Sequence, residues 1–108
     1  MEHAVGKYSV QEIRTIAADI ARRHGVERMY LFGSYARGDT KPDSDLDFRI
    51  DKGSLRGLFA LGGLYADLED AFGICIDLVT TESLDQDFLR RIAPEEVLIF
   101  DRAKEPGL

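Results

Sequence analysis

Apolar positions recur at helical spacing over residues 9–24, where Val10, Ile13, Ile16, Ala17, Ile20 and Ala21 form one stripe. Ser9 and Glu12 are spaced as a capping box, Tyr8 and Ile13 as the hydrophobic staple across it, and Gly25 supplies the stop. The pattern then turns strand-like from Val26 to Phe32 and breaks at Gly33-Ser34. Tyr35 to Arg37 reads as the first turn of a short helix, Gly38 to Ser44 as loop, and Leu46 to Ile50 as a second strand. A helix over Leu55 to Phe72 follows, with Leu58, Leu61, Leu64, Tyr65, Leu68 and Phe72 on its buried side and Gly73 at its end. Gly62 and Gly63 inside it cost about 1 kcal/mol each relative to alanine, and a close helix–strand contact is the usual reason for such residues. Ile74 to Thr80 is a third strand, and Ser83 to Ile92 a short helix with Ser83 and Gln86 as its capping box. Pro94 stops that helix, Val97 to Phe100 is a last strand, and Arg102 to Leu108 is a polar tail expected to fray. The order α-β-(α)-β-α-β-α-β predicts an α+β fold, a small mixed sheet with helices packed on one side.

Composition narrows the class. A chain of 108 residues with 44% hydrophobic and 31% charged residues is expected to form one globular domain over residues 1–108. Its net charge of -6, from 14 basic and 20 acidic residues, argues against direct nucleic-acid binding, which uses a basic surface. No apolar run reaches the ~18 residues of a membrane span. Cys75 has no partner for an internal disulfide, so the expected setting is a reducing cytoplasm and the expected place of Cys75 is in or beside the core.

The chemistry concentrates between Leu31 and Ile50. Residues two apart on a strand share a face, so Asp45 and Asp47 project together while Leu46, Phe48 and Ile50 face a core. Two like charges so placed repel unless the face is simply solvated or a cation sits between them. Asp77 alternates with Ile76 and Leu78, and a neighbouring strand position would add a third carboxylate to that face. Three aspartates suit Mg²⁺, which takes hard oxygen ligands and completes its shell with water and substrate phosphate. Gly33-Ser34 lets backbone approach an anion and adds one hydroxyl, and Arg37 and Lys41 are the nearest cations for nucleotide phosphates. Arg49 shares the aspartates' face and reads as their salt-bridge partner; His3 and His24 read as surface residues.

Gly33-Ser34, ten residues, then Asp45-Leu46-Asp47 resembles the GS-x10-DxD signature of the polymerase-β nucleotidyltransferase superfamily. FGSYARGD at 32–39, SDLD at 44–47, IDLVT at 76–80 and VLIFD at 97–101 look like its minimal nucleotidyltransferase (MNT) branch. The resemblance spans about residues 9–101 and implies a polymerase-β-like fold. It implies that Asp45 and Asp47 bind Mg²⁺, expected as two ions, and that Asp77 coordinates metal or activates the nucleophile. It gives Gly33 and Ser34 the phosphates of the nucleotide, expected to be ATP.

MNT proteins of this size resemble the antitoxin half of HEPN–MNT pairs, type VII toxin–antitoxin systems in which AMP is moved from ATP to a tyrosine of the HEPN toxin. The resemblance therefore implies a Mg-dependent AMP-transferring antitoxin with a HEPN-domain partner. Two alternatives stand beside it: nucleotidyl transfer to a small molecule, as in aminoglycoside-modifying relatives, and a non-catalytic antitoxin that acts by binding alone.

Overall fold

The computed structural model describes residues 7–106 of the chain. The first helix, α1 (Val10–Arg23), carries the expected capping box: the Ser9 amide donates to Glu12 Oε1 at 2.8 Å and the Glu12 amide to Ser9 Oγ at 3.1 Å. Its stripe buries Ile13, Ala17, Ile20 and Ala21. Four strands follow in the chain: β1 (Arg28–Phe32), β2 (Leu46–Asp51), β3 (Ile76–Thr80) and β4 (Val97–Asp101), forming a sheet of order β3-β2-β1-β4. β1 runs antiparallel to both β2 and β4, whereas β2 and β3 are parallel. A parallel pair needs a crossover long enough to return to the same end, and α3 (Gly57–Phe72) supplies it.

The sheet buries one face under α1 and α3. Met29, Leu31, Leu46, Phe48 and Ile50 meet Ile13, Ala17 and Ile20 of α1 and Leu64, Leu68 and Phe72 of α3 in one core. Tyr8 packs edge-on against Phe72, ring centroids 5.1 Å apart, and donates its hydroxyl to the Phe72 carbonyl. On the opposite face Phe32 and Ile92 are buried outside that core, with Phe32 edge-on to Phe88 of α4 (Gln86–Ile92) at 6.0 Å.

Several local expectations are corrected. The start of α3 does not bury Leu58, which is 84% exposed, and Phe59 beside it is 99% exposed. The helix begins at Gly57, Ala60 and Leu61 are partly buried against the core, and full burial starts at Leu64, so the apolar stripe engages one turn later than its spacing suggests. Gly62 faces open space, and a Cβ on Gly63 would meet the His24 ring at an ordinary contact distance of 3.7 Å, so no close helix–strand contact accounts for either glycine. His24 is half-buried there and pairs with Asp67 at 2.7 Å. The last helix is capped by Asp85, whose carboxylate accepts from the Phe88 amide, and not by Ser83, which lies in a preceding 3₁₀ turn. Cys75 is exposed. Residues 102–104 make a 3₁₀ turn that is pinned by Arg102 to the Glu27 carbonyl, so this part of the tail is structured. His3 and residues 107–108 lie outside the described residues. No helix among the described residues is long and apolar enough to cross a membrane.

Candidate active site

Gly33 stands where β1 turns into the short helix α2 (Ser34–Arg37). Its φ of 77° and ψ of -158° lie in a region open essentially to glycine alone. The second reason for glycine is across the sheet. Phe32 is paired with Asp47, and a Cβ on residue 33 would stand 2.0 Å from Asp47 Oδ2. The missing side chain is thus the space that the Asp47 carboxylate fills. Ser34 is the first residue of α2 and not its cap, and its carbonyl accepts from the Gly38 and Asp39 amides at 2.8 and 3.1 Å.

Asp47 also pairs in register with Asp77 on the parallel strand β3, which places both on the same face. Asp45 immediately precedes β2 and is exposed, as is Asp77 on its edge strand; Asp47 between them is half-buried. Burial pushes the Asp47 carboxyl up to about 6, and the charges of Asp77 and Asp45, a hydrogen bond with Asp77 and, in opposition, Arg37 act on it as well. Three carboxylates therefore feel one another at Asp47.

Whether they fit a metal can be read from the same facts. Among the described residues, no three His, Cys, Asp or Glu side chains are drawn together tightly enough to chelate an ion as they stand. The donor set is all hard oxygen, however, and Asp47, raised by burial and then by the charges of Asp77 and Asp45, lies beside two further carboxylates. Asp45 and Asp77 beside it are exposed. In donor chemistry, though not in their present spacing, the three carboxylates suit a hard divalent cation.

A cleft of about 430 Å³ opens beside Asp47, lined by Gly33, Ser34, Arg37, Phe88, Arg91 and Glu95 among others. Arg37 reaches it, paired to Asp39 at 3.1 Å and to Glu95 at 3.2 Å. Lys41 is exposed on the loop, its amide held by the Ser44 hydroxyl at 2.7 Å, and it does not line this cleft. Arg49 is not the partner of Asp45 and Asp47: it forms a bidentate pair with Glu96 at 2.6 and 3.0 Å, lies within 3.7 Å of Asp51, and stacks on Tyr30 at 4.2 Å. Sequence reasoning missed Phe88, Arg91 and Glu95, which arrive from more than 50 residues beyond the glycine–serine turn with no local pattern to flag them.

The family model described as polymerase beta, nucleotidyltransferase matches residues 14–105. The chain belongs to this nucleotidyltransferase family. A Methanocaldococcus jannaschii protein provisionally named protein adenylyltransferase is 35% identical over 89 residues, 82% of this chain and 96% of the relative. Protein adenylyltransferase MntA of Thermococcus cleftensis is 32% identical over 95 residues, covering 84% of this chain and 96% of that protein. Among solved structures, a complex of tri-AMPylated Shewanella oneidensis HEPN toxin with its MNT antitoxin aligns with a TM-score of 0.65 at 19% identity, over 87% of this chain and 74% of the matched one. That last likeness shows the fold, and the nucleotidyltransferase fold is the one described here. As a nucleotidyltransferase, the chain carries its GS turn and its DxD aspartates at the cleft end of adjacent strands.

Proposed function

We propose that this nucleotidyltransferase moves AMP from ATP to a protein hydroxyl, the tyrosine of a HEPN-domain toxin, and acts as that toxin's antitoxin. The observation that carries the reading is Asp47, raised to about 6 between Asp77 and Asp45 and in contact with the Gly33 turn. It brings an incomplete cation site and a phosphate-sized approach to backbone into one place. The acceptor and the partner are supported by the names of the relatives, protein adenylyltransferases and an MNT antitoxin bound to its AMPylated HEPN toxin.

In this reading Gly33, Ser34 and Arg37 hold the triphosphate in the cleft that the half-buried Asp47 also lines. Asp77 faces the acceptor from the exposed edge strand and takes the proton of the incoming hydroxyl. The hydroxyl oxygen bonds to the α-phosphorus as the bond to pyrophosphate breaks, and Arg37 faces the departing charge. Asp45, Asp47 and Asp77 would hold Mg²⁺, expected as two ions, which would supply positive charge to the three carboxylates and to the phosphates. We place the reaction in the cytoplasm, where ATP is made and an exposed thiol such as Cys75 stays reduced.

The test is incubation of the chain with α-labelled ATP, Mg²⁺ and the co-expressed partner. Label is expected on a partner tyrosine, and Asp45→Asn with Asp47→Asn is expected to remove it. Absent label, or label indifferent to both substitutions, ends the enzymatic reading.

A further inference from the structure

Glu95 occupies the very groups that a nucleotide would use. Its Oε2 accepts from the Gly33 amide at 2.6 Å, and its carboxylate takes the Arg37 guanidinium at 3.2 and 3.3 Å. Both are charge-assisted contacts of the kind a phosphate oxygen makes. The carboxylate lines the same cleft as Ser34 and Asp47.

The backbone under Glu95 is held in place. The Glu96 amide donates to the Ile92 and Ala93 carbonyls at 3.1 and 3.3 Å, and the Glu96 side chain is locked on Arg49. The turn therefore stays while the Glu95 side chain alone can swing out. Two anions cannot both take the single Gly33 amide hydrogen, and side by side on one guanidinium they repel each other.

We propose that Glu95 is an internal competitor for nucleotide phosphate, occupying the Gly33 amide and the Arg37 guanidinium until a triphosphate displaces its carboxylate. This rests on the nucleotide reading above and adds a threshold to it: the site opens to ligands that bring more negative charge than one carboxylate. A nucleoside without phosphates does not contest those contacts.

The experiment is calorimetric titration of the full chain and of Glu95→Gln with Mg-ATP and, separately, with adenosine. Glu95→Gln is expected to bind Mg-ATP about tenfold more tightly, the size of one charge-assisted hydrogen bond, with adenosine unchanged. Adding Arg37→Ala to Glu95→Gln is expected to remove most of the gain. Glu95→Ala serves the same test if the glutamine variant fails to fold. Equal or weaker Mg-ATP affinity in the variant overturns the competitor role alone, as does an equal gain for adenosine. Failure of every form to bind Mg-ATP overturns the nucleotide reading and this inference with it.

Discussion

The Asp47 carboxylate lies 2.0 Å from the point where any side chain on residue 33 would begin. No side chain can therefore be added at residue 33 without displacing the Asp47 carboxylate. Gly33→Ala brings a backbone cost of about 1–3 kcal/mol for its glycine-only conformation and also expels Asp47 from its place. We expect a fall in denaturation midpoint together with at least a hundredfold loss of AMP transfer. A variant that folds less stably but transfers at the normal rate would separate the two residues functionally.

Asp47 makes stability depend on pH in a definite direction. Its carboxyl is raised from 3.8 to about 6, so the folded chain binds this proton more tightly than the unfolded chain. The stabilisation is complete below about pH 4 and is lost as pH rises through about 6. Allowing for solvent screening at a half-exposed group, the loss is about 1 kcal/mol. Without divalent cations, Asp47→Asn should therefore melt higher than the parent chain at pH 7.5, and the difference should shrink as pH falls, most of it disappearing by about pH 4. A difference that does not vary with pH would show that another group sets the profile.

Asp77 stands beside Asp47 in register on the edge strand of the sheet and is exposed. Asp77→Ala should abolish transfer while most of the Mg-ATP affinity survives. Collapse of nucleotide affinity in the same variant, measured by calorimetry, would assign Asp77 to nucleotide binding instead.

Arg49 and Glu96 form a nearly buried pair, with side chains 11% and 9% exposed. Removing one charge leaves the other desolvated without its partner, so Glu96→Gln should cost about 2–3 kcal/mol. Urea denaturation decides this, and a loss below 1 kcal/mol would mean that Thr81 and Asp51 suffice to hold Arg49.

The exposed start of α3 predicts the opposite outcome. Leu58→Ser and Phe59→Ser should change stability by no more than about 0.5 kcal/mol, whereas Phe72→Ala on the same helix should cost about 3–5 kcal/mol. Equal losses at Leu58 and Phe72 would restore the longer buried stripe.

What the sequence determined by itself is local and periodic. The capping box at Ser9 and Glu12, the alternation that buries Leu46, Phe48 and Ile50, and the glycine–serine turn ahead of an acidic pair all follow from contacts within a few residues. The strand order, the parallel β2–β3 pair that aligns Asp77 with Asp47, and the burial that raises Asp47 depend on how distant segments pack. Leu58 illustrates the limit: its spacing matched the apolar stripe, but it is left exposed at the start of the helix, and periodicity carries no information about where the packing partner of a helix begins. Glu95 illustrates it again, because a carboxylate 62 residues from Gly33 reaches that amide only through the tertiary fold. Sequence named the groups that carry the charge; tertiary structure decided which of them face one another.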